Sequence, residues 1–209
     1  MAKARKPRQP QSSIAIDAFG EDQGHEEVVG ALIKRVSEEV CVRAVTNWNS
    51  ARGGLPALMG NLAEYFEELK SSGGAPDFVV VVADANSKGW SQRARELSTD
   101  QVSIPVVKAI PDPEIERWLL LDSQAFKKVF GTGFKASRQT QKPGFYKDRL
   151  KQVCIDAGFR PVLGGIEYAQ DIVREVNLDR AARNDRSLKH FLDDFRAVLQ
   201  QISQLRQSP

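Results

Sequence analysis

Three short acidic stretches carry the residue types best suited to chemistry. Glu21-Asp22 is followed by His25-Glu26-Glu27, Asp84-Ala85-Asn86 by Lys88, and Asp112 by Glu114 and Glu116. Carboxylates brought together without a cation repel one another and raise each other's pKa. A hard divalent cation such as Mg²⁺ relieves that repulsion, using oxygen ligands and retained waters. Metal-assisted chemistry is therefore open to these residues if the fold gathers them.

The surrounding pattern says what must position them. Residues 13–19 read as a strand, 26–40 as a helix, 40–46 as a β-branched strand and 55–69 as a helix. FVVVVA at 78–83 is continuously apolar, as expected of a strand covered on both faces. A short helix at 91–97 and a fourth strand at 102–110 follow, and Pro105 favours an edge position for that strand. This alternation over 13–122 predicts a Rossmann-like α/β core with a mainly parallel sheet of about four strands flanked by helices. Residues 123–209 predict a helical C-terminal extension packed on that core, with helices at 125–130, 145–157 and 170–176. The clearest ends the chain, with Leu188, Phe191, Leu192, Phe195, Leu199 and Ile202 in one stripe. In an open parallel sheet, ligands bind beyond the carboxyl ends of the strands. The first, third and fourth strands each deliver carboxylates there. The second delivers Asn47, Asn49, Ser50 and Arg52.

Each acidic residue also has a purely structural reading. Asp112 suits the cap of a helix opened by Pro113, with Glu114 and Glu116 in its first turn. Glu26 and Glu27 suit the opening turn of a helix begun at Gln23 or Gly24. Asp84 fits such a reading less well, because a carboxylate directly after a central apolar strand is a poor packing choice, although it could cap a turn. Trp118 and Leu119 are expected in the core.

Composition narrows the setting. The chain has 209 residues, 41% hydrophobic and 27% charged, with a net charge of +3. No apolar run approaches the roughly 20 residues needed to span a bilayer. The basic start, MAKARKPRQPQSS, lacks the apolar stretch of a secretory signal, and residues 1–12 read as a disordered tail. Cys41 and Cys154 form no ligand spacing. A cytoplasmic protein with reduced thiols is expected, without a membrane partner. Basic residues cluster in the first ten positions and again from Lys127 to Lys151, a distribution suited to phosphates. There is no nucleotide P-loop. Gly131-Thr132-Gly133 follows a helical segment, so it reads as a helix-breaking loop. His25 and His190 sit in no local metal motif.

A glutamate after the first strand and an aspartate motif after a later apolar strand resemble the Toprim domain. Glu21, in FGEDQGHEEVVGALIKRV, and Asp84-Ala85-Asn86, in FVVVVADANSKG, match the two motifs. VVKAIPDPEIERWLLLDSQAFKKVFG and RAARNDRSLKHFLDDF are similar to a narrower branch. That branch comprises stand-alone Toprim-like proteins, often encoded beside ATPases in bacterial defence loci. More distantly, the chain resembles nucleases of overcoming-lysogenization-defect type. The likeness spans roughly residues 13–199. It departs from the family in two places: Asp22 follows the glutamate where Gly is usual, and Asn86 replaces the second aspartate.

The resemblance implies Mg²⁺- or Mn²⁺-dependent hydrolysis of DNA or RNA phosphodiester bonds, with an ATPase partner. Glu21 and Asp84 would be catalytic. Glu21, Asp84, Asn86 and Glu116 would hold the metal, and Asp22, Glu26 and Glu114 are secondary candidates. Lys88 and Arg52 would pair with substrate phosphates. Asn86 keeps a carbonyl ligand but loses a charge, so metal affinity falls unless Asp22 or Glu116 compensates. The alternative is a catalytically weakened Toprim-like subunit that binds an ATPase or nucleic acid without turnover. A homo-oligomer is compatible with either.

Overall fold

The computed structural model describes residues 13–71, 74–97, 99, 102–137 and 139–207. The expected basic tail and Arg138 lie outside the described residues. The sheet has four parallel strands: β1 (Ser13–Gly20), β2 (Arg43–Ser50), β3 (Phe78–Val82) and β4 (Val106–Ala109), in the order β2-β1-β3-β4. Between them run α1 (Gln23–Glu39), α2 (Gly54–Ser71) and the short α3 (Trp90–Glu96).

Strand order dictates the layers. The chain moves outward from β1 to β2 through α1, then crosses back over β1 to β3 through α2. The two connections lie on opposite faces. Ile14, Ile16 and Ala18 of β1 therefore pack with Val28, Leu32 and Val36 of α1. Phe19, Val79 and Val81 pack with Leu58 and Leu62 of α2. The five residues of β3 are wholly buried, which explains why FVVVV shows no alternation. β4 is an edge strand, as Pro105 predicts, but it is only four residues long.

The helical remainder comprises α4 (Glu116–Leu119), α5 (Ser123–Phe130), α6 (Phe145–Asp156), α7 (Ala169–Glu175), α8 (Leu178–Asn184) and α9 (Arg186–Gln207). It shares one hydrophobic cluster with the sheet. Phe126, Leu150, Ile172 and Phe195 are buried in the same core as Ile14, Val28 and Val80. All six residues of the α9 stripe are buried within it, as are Trp118 and Leu119. α9 has 22 residues, hence is about 33 Å long. It runs against the strands. Its start lies near the loops that follow β3 and β4, and Asp112 N–H donates to Ser187 Oγ (3.2 Å). Near its end, Arg206 pairs with Asp77 just before β3 (2.6 Å) and donates to the Ser13 carbonyl.

Two expectations need correction. Val40 to Val42 do not begin the second strand. Cys41 and Val42 donate back to Glu38 and Ser37 carbonyls, and Cys41 takes φ 58°, so these residues close α1. Pro113 opens no helix either. Asp112 Oδ2 accepts from Trp90 N–H (3.2 Å), so the carboxylate serves the start of α3 from another loop.

Candidate functional site

β1 and β3 are neighbours whose following helices leave toward opposite faces. Their carboxyl ends form the topological switch point, where the diverging connections open a crevice in sheets of this kind. Glu21 and Asp22 follow β1 there, and Asp84 follows β3.

Asp22 is the N-cap of α1, with its carboxylate accepting from His25 N–H (3.1 Å). That cap turns His25 inward, where it is 2% exposed. Gly20 allows the approach, since a Cβ there would lie 3.0 Å from the His25 Cβ. His25 Nδ1 accepts from Glu21 N–H (3.1 Å), and Nε2 faces Asp84 Oδ1 (3.3 Å). With Nδ1 accepting, the neutral imidazole carries its hydrogen on Nε2 toward Asp84, so the ring bridges the two strand ends. Burial alone would lower the His25 pKa. The Asp84 hydrogen bond and the charges of Asp84, Asp22 and Glu21 outweigh it and lift the value to about 9. Protonation would cost the bond from Glu21 N–H, so the surrounding carboxylates compete with that bond for the ring.

Glu21 is half-buried, and its Oε1 is buried without a hydrogen-bond partner among the described residues. Burial raises its pKa, Asp84 and Asp22 add to the rise, and His25 and Arg93 oppose it. A buried carboxylate oxygen left unsatisfied is costly. Arg93 of α3 is itself buried, donating to the Asp84 carbonyl (2.8 Å) and to Glu96 (2.8 Å). It brings a positive charge beneath the acidic edge.

Glu116 shares this electrostatic neighbourhood. Burial raises its pKa to about 7, and Asp84 and Glu114 contribute to the rise. Glu114 is otherwise engaged. Its carboxylate accepts from Gly144 and Tyr146 N–H groups and so fastens the start of α6. Asn86 is exposed at φ 52°. Its side-chain amide reaches back to the Asp84 carbonyl (3.4 Å), and its N–H donates to Pro113 (2.9 Å). Glu26 lies half-buried in the first turn of α1. Lys88 pairs with Glu96 (2.7 Å). Arg52 is exposed at the end of β2, without a hydrogen bond or ion pair to a described residue.

The fold thus brings together Glu21, Asp22 and Asp84, with Glu116 close enough to feel Asp84. It assigns Glu114 to a helix start. Sequence reasoning passed over His25 and Arg93. The available signals were weak: a histidine three residues after a capping aspartate, and an arginine on the helix leaving a central strand.

The donor set is all hard oxygen, with one buried oxygen lacking a partner, and this suits Mg²⁺ or Mn²⁺. Among the described residues, no group of three or more His, Cys, Asp and Glu side chains is placed to hold a metal ion. Mg²⁺ is commonly held by one or two carboxylates while its waters fill the remaining positions, and Glu21 and Asp84 fit that lighter requirement. Comparison with family models, curated proteins and solved structures gave no match. The fold and site define an α/β protein with a parallel, doubly wound sheet and an acidic centre at its switch point. No helix among the described residues is long and apolar enough to cross a membrane.

Proposed function

We propose that the chain is a metal-dependent nuclease hydrolysing phosphodiester bonds of DNA or RNA. On this reading it is a Toprim-type effector acting with an ATPase partner in bacterial anti-phage defence, as in the branch it resembles. The observation that carries the chemistry is the meeting of Glu21 and Asp84 at the switch point, joined by His25. Glu21 and Asp84 would hold Mg²⁺ or Mn²⁺, with Glu116 beside them. When bound, the cation polarises the phosphate and stabilises its developing charge. Glu21, with its pKa raised by burial and Oε1 free of partners, suits taking a proton from water and returning it to the leaving oxygen. His25 positions Asp84, and Arg93 limits the repulsion among the carboxylates.

The test is incubation with plasmid, single-stranded DNA and tRNA in Mg²⁺ or Mn²⁺, alone and with any ATPase encoded beside the chain. Cleavage should fall by at least about a hundredfold in Glu21→Gln and Asp84→Asn. Metal-dependent cleavage that both variants retain in full would overturn the assignment.

Asn86 favours a second reading, a binding or regulatory subunit without turnover. It lacks a ligand charge and turns its amide toward backbone. Calorimetry with Mg²⁺ separates the two. Millimolar or tighter binding abolished by Asp84→Ala supports the nuclease. No binding, together with intact association with the ATPase or nucleic acid, supports the subunit.

A further inference from the structure

We propose that the cavity between the starts of α3 and α9 binds a nucleotide, its phosphate near Lys88 and Arg186 and its base against the Trp90–His190 pair. This rests on the nuclease reading and deepens it, by giving the substrate strand a subsite beside the acidic centre.

The cavity has a volume of about 780 Å³ and is lined by Lys88, Trp90, Asp112, Arg117, Arg186 and His190, among others. That lies within the range of small-molecule sites, roughly 300–1,000 Å³, and suits a nucleotide better than a duplex. It lies beyond the carboxyl ends of β3 and β4, because Lys88 and Trp90 follow β3 and Asp112 follows β4. It is also tied to the acidic centre. Arg93, one turn after Trp90 on α3, donates to the Asp84 carbonyl (2.8 Å).

The charges facing the cavity are not evenly matched. Arg117 is balanced by Asp185 (2.8 Å), a buried ion pair. The two oxygens of Asp112 accept from Trp90 N–H and from Gln141 (3.0 Å). Arg186 is exposed and has no ion pair with a described residue. Among the described residues the Lys88 ammonium is held only by Glu96, in a partly exposed pair. Such pairs contribute little, so Lys88 is free to exchange Glu96 for a phosphate. The lining carries three cations, Lys88, Arg117 and Arg186, against two carboxylates, Asp112 and Asp185, and this excess of one positive charge favours an anion.

Trp90 and His190 distinguish a nucleotide from phosphate alone. Their rings stack at 4.2 Å and 21°. Trp90 Nε1 finds no acceptor among the described residues, so ring contact, not that hydrogen bond, holds the indole in the wall. A flat aromatic wall beside exposed cations is the combination that takes a base and its phosphate without regard to sequence.

The nucleotide can arrive in a single strand or free. Fluorescence anisotropy with labelled single-stranded DNA and RNA oligonucleotides, in EDTA so that nothing is cleaved, reads the first source. Competition by a nucleoside monophosphate reads the second. The Arg186→Ala and Lys88→Ala variants should each weaken binding about tenfold without changing the melting temperature. His190→Ala should weaken it about fivefold or more, and His190→Phe should restore it. Competition only at concentrations far above the oligonucleotide assigns the site to a strand; comparable competition assigns it to free nucleotide. The proposal fails if the wild type binds neither probe, or if the Lys88→Ala, Arg186→Ala double variant binds as tightly as the wild type. Glu21→Gln keeps the two ideas apart. Lost cleavage with intact anisotropy leaves the cavity standing. A double variant that cleaves and binds like the wild type removes the cavity and leaves the nuclease.

Discussion

His25 Nε2 lies 3.3 Å from Asp84 Oδ1, joining the first turn of α1 to the end of β3 across 59 residues of sequence. The contact fixes one oxygen of Asp84 and leaves the other available. Groups that orient a ligand from behind typically contribute 10–100-fold in metal affinity or activity. His25→Ala should therefore weaken Mn²⁺ binding, read by calorimetry, about 10–100-fold. His25→Gln, which keeps a donor, should recover part of the loss. Unchanged affinity in both variants would reduce His25 to packing.

The Arg117–Asp185 pair (2.8 Å) is buried on both sides. Asp185 also caps α9 through Leu188 N–H (2.9 Å) and accepts from Ser187 Oγ (2.5 Å). Breaking a buried pair strands the other charge, at a cost of about 3–5 kcal/mol. Asp185→Ala should lose about that much in urea denaturation. Replacing both residues by Leu should cost less than the single change. A single variant of wild-type stability would contradict the picture.

Asp122 links two parts of the helical region. It caps α5 through Gln124 and Ala125 N–H groups, and accepts from Asn177 N–H (3.0 Å) and Arg180 (2.6 Å). Burial opposes its ionisation, but these hydrogen bonds outweigh it and hold its pKa below the usual range. A depressed carboxyl pKa gives stability that is fully present above the unfolded value, about 3.9. That stability is lost as pH falls through the folded value. The stability difference between wild type and Asp122→Asn should be constant near neutrality and shrink below about pH 4. A difference independent of pH down to 3 would show that the ionised form contributes nothing special.

Phe195 is fully buried, with its ring 5.6 Å from both Phe78 and Phe191. Truncating such a residue removes its transfer energy and leaves a cavity. Phe195→Ala should cost about 3–5 kcal/mol in chemical denaturation. Truncation at residue 187 should give insoluble protein, because the sheet face beneath α9 would be bare. A variant of unchanged stability would mean that this side chain does not sustain the core.

Much of the architecture was legible because it follows from local periodicity. A buried strand such as FVVVV needs no partner to be recognised, and the 188–202 stripe repeats at helical spacing. Alternation of these patterns implied a parallel sheet, and that placed Glu21 and Asp84 at carboxyl ends. Boundaries were less legible. Val40 and Val42 have strand-like side chains, but Cys41 and Val42 donate their N–H groups to the end of α1. β2 begins only at Arg43, with partly buried residues alternating along an edge.

Partnerships between distant residues were settled by tertiary structure. Sequence alone made Asp112 the cap of its own segment, whereas in the fold it serves α3. Glu114 passed for an edge carboxylate, yet it holds a helix 30 residues further on. His25 lacked any local motif, because its partner belongs to another strand. The physical reason is common to all three. Side-chain period is a property of one element, while the neighbour across a crevice depends on strand order and on which face each connection takes. The order β2-β1-β3-β4 makes the ends of β1 and β3 adjacent, and that adjacency brings Glu21, His25 and Asp84 together.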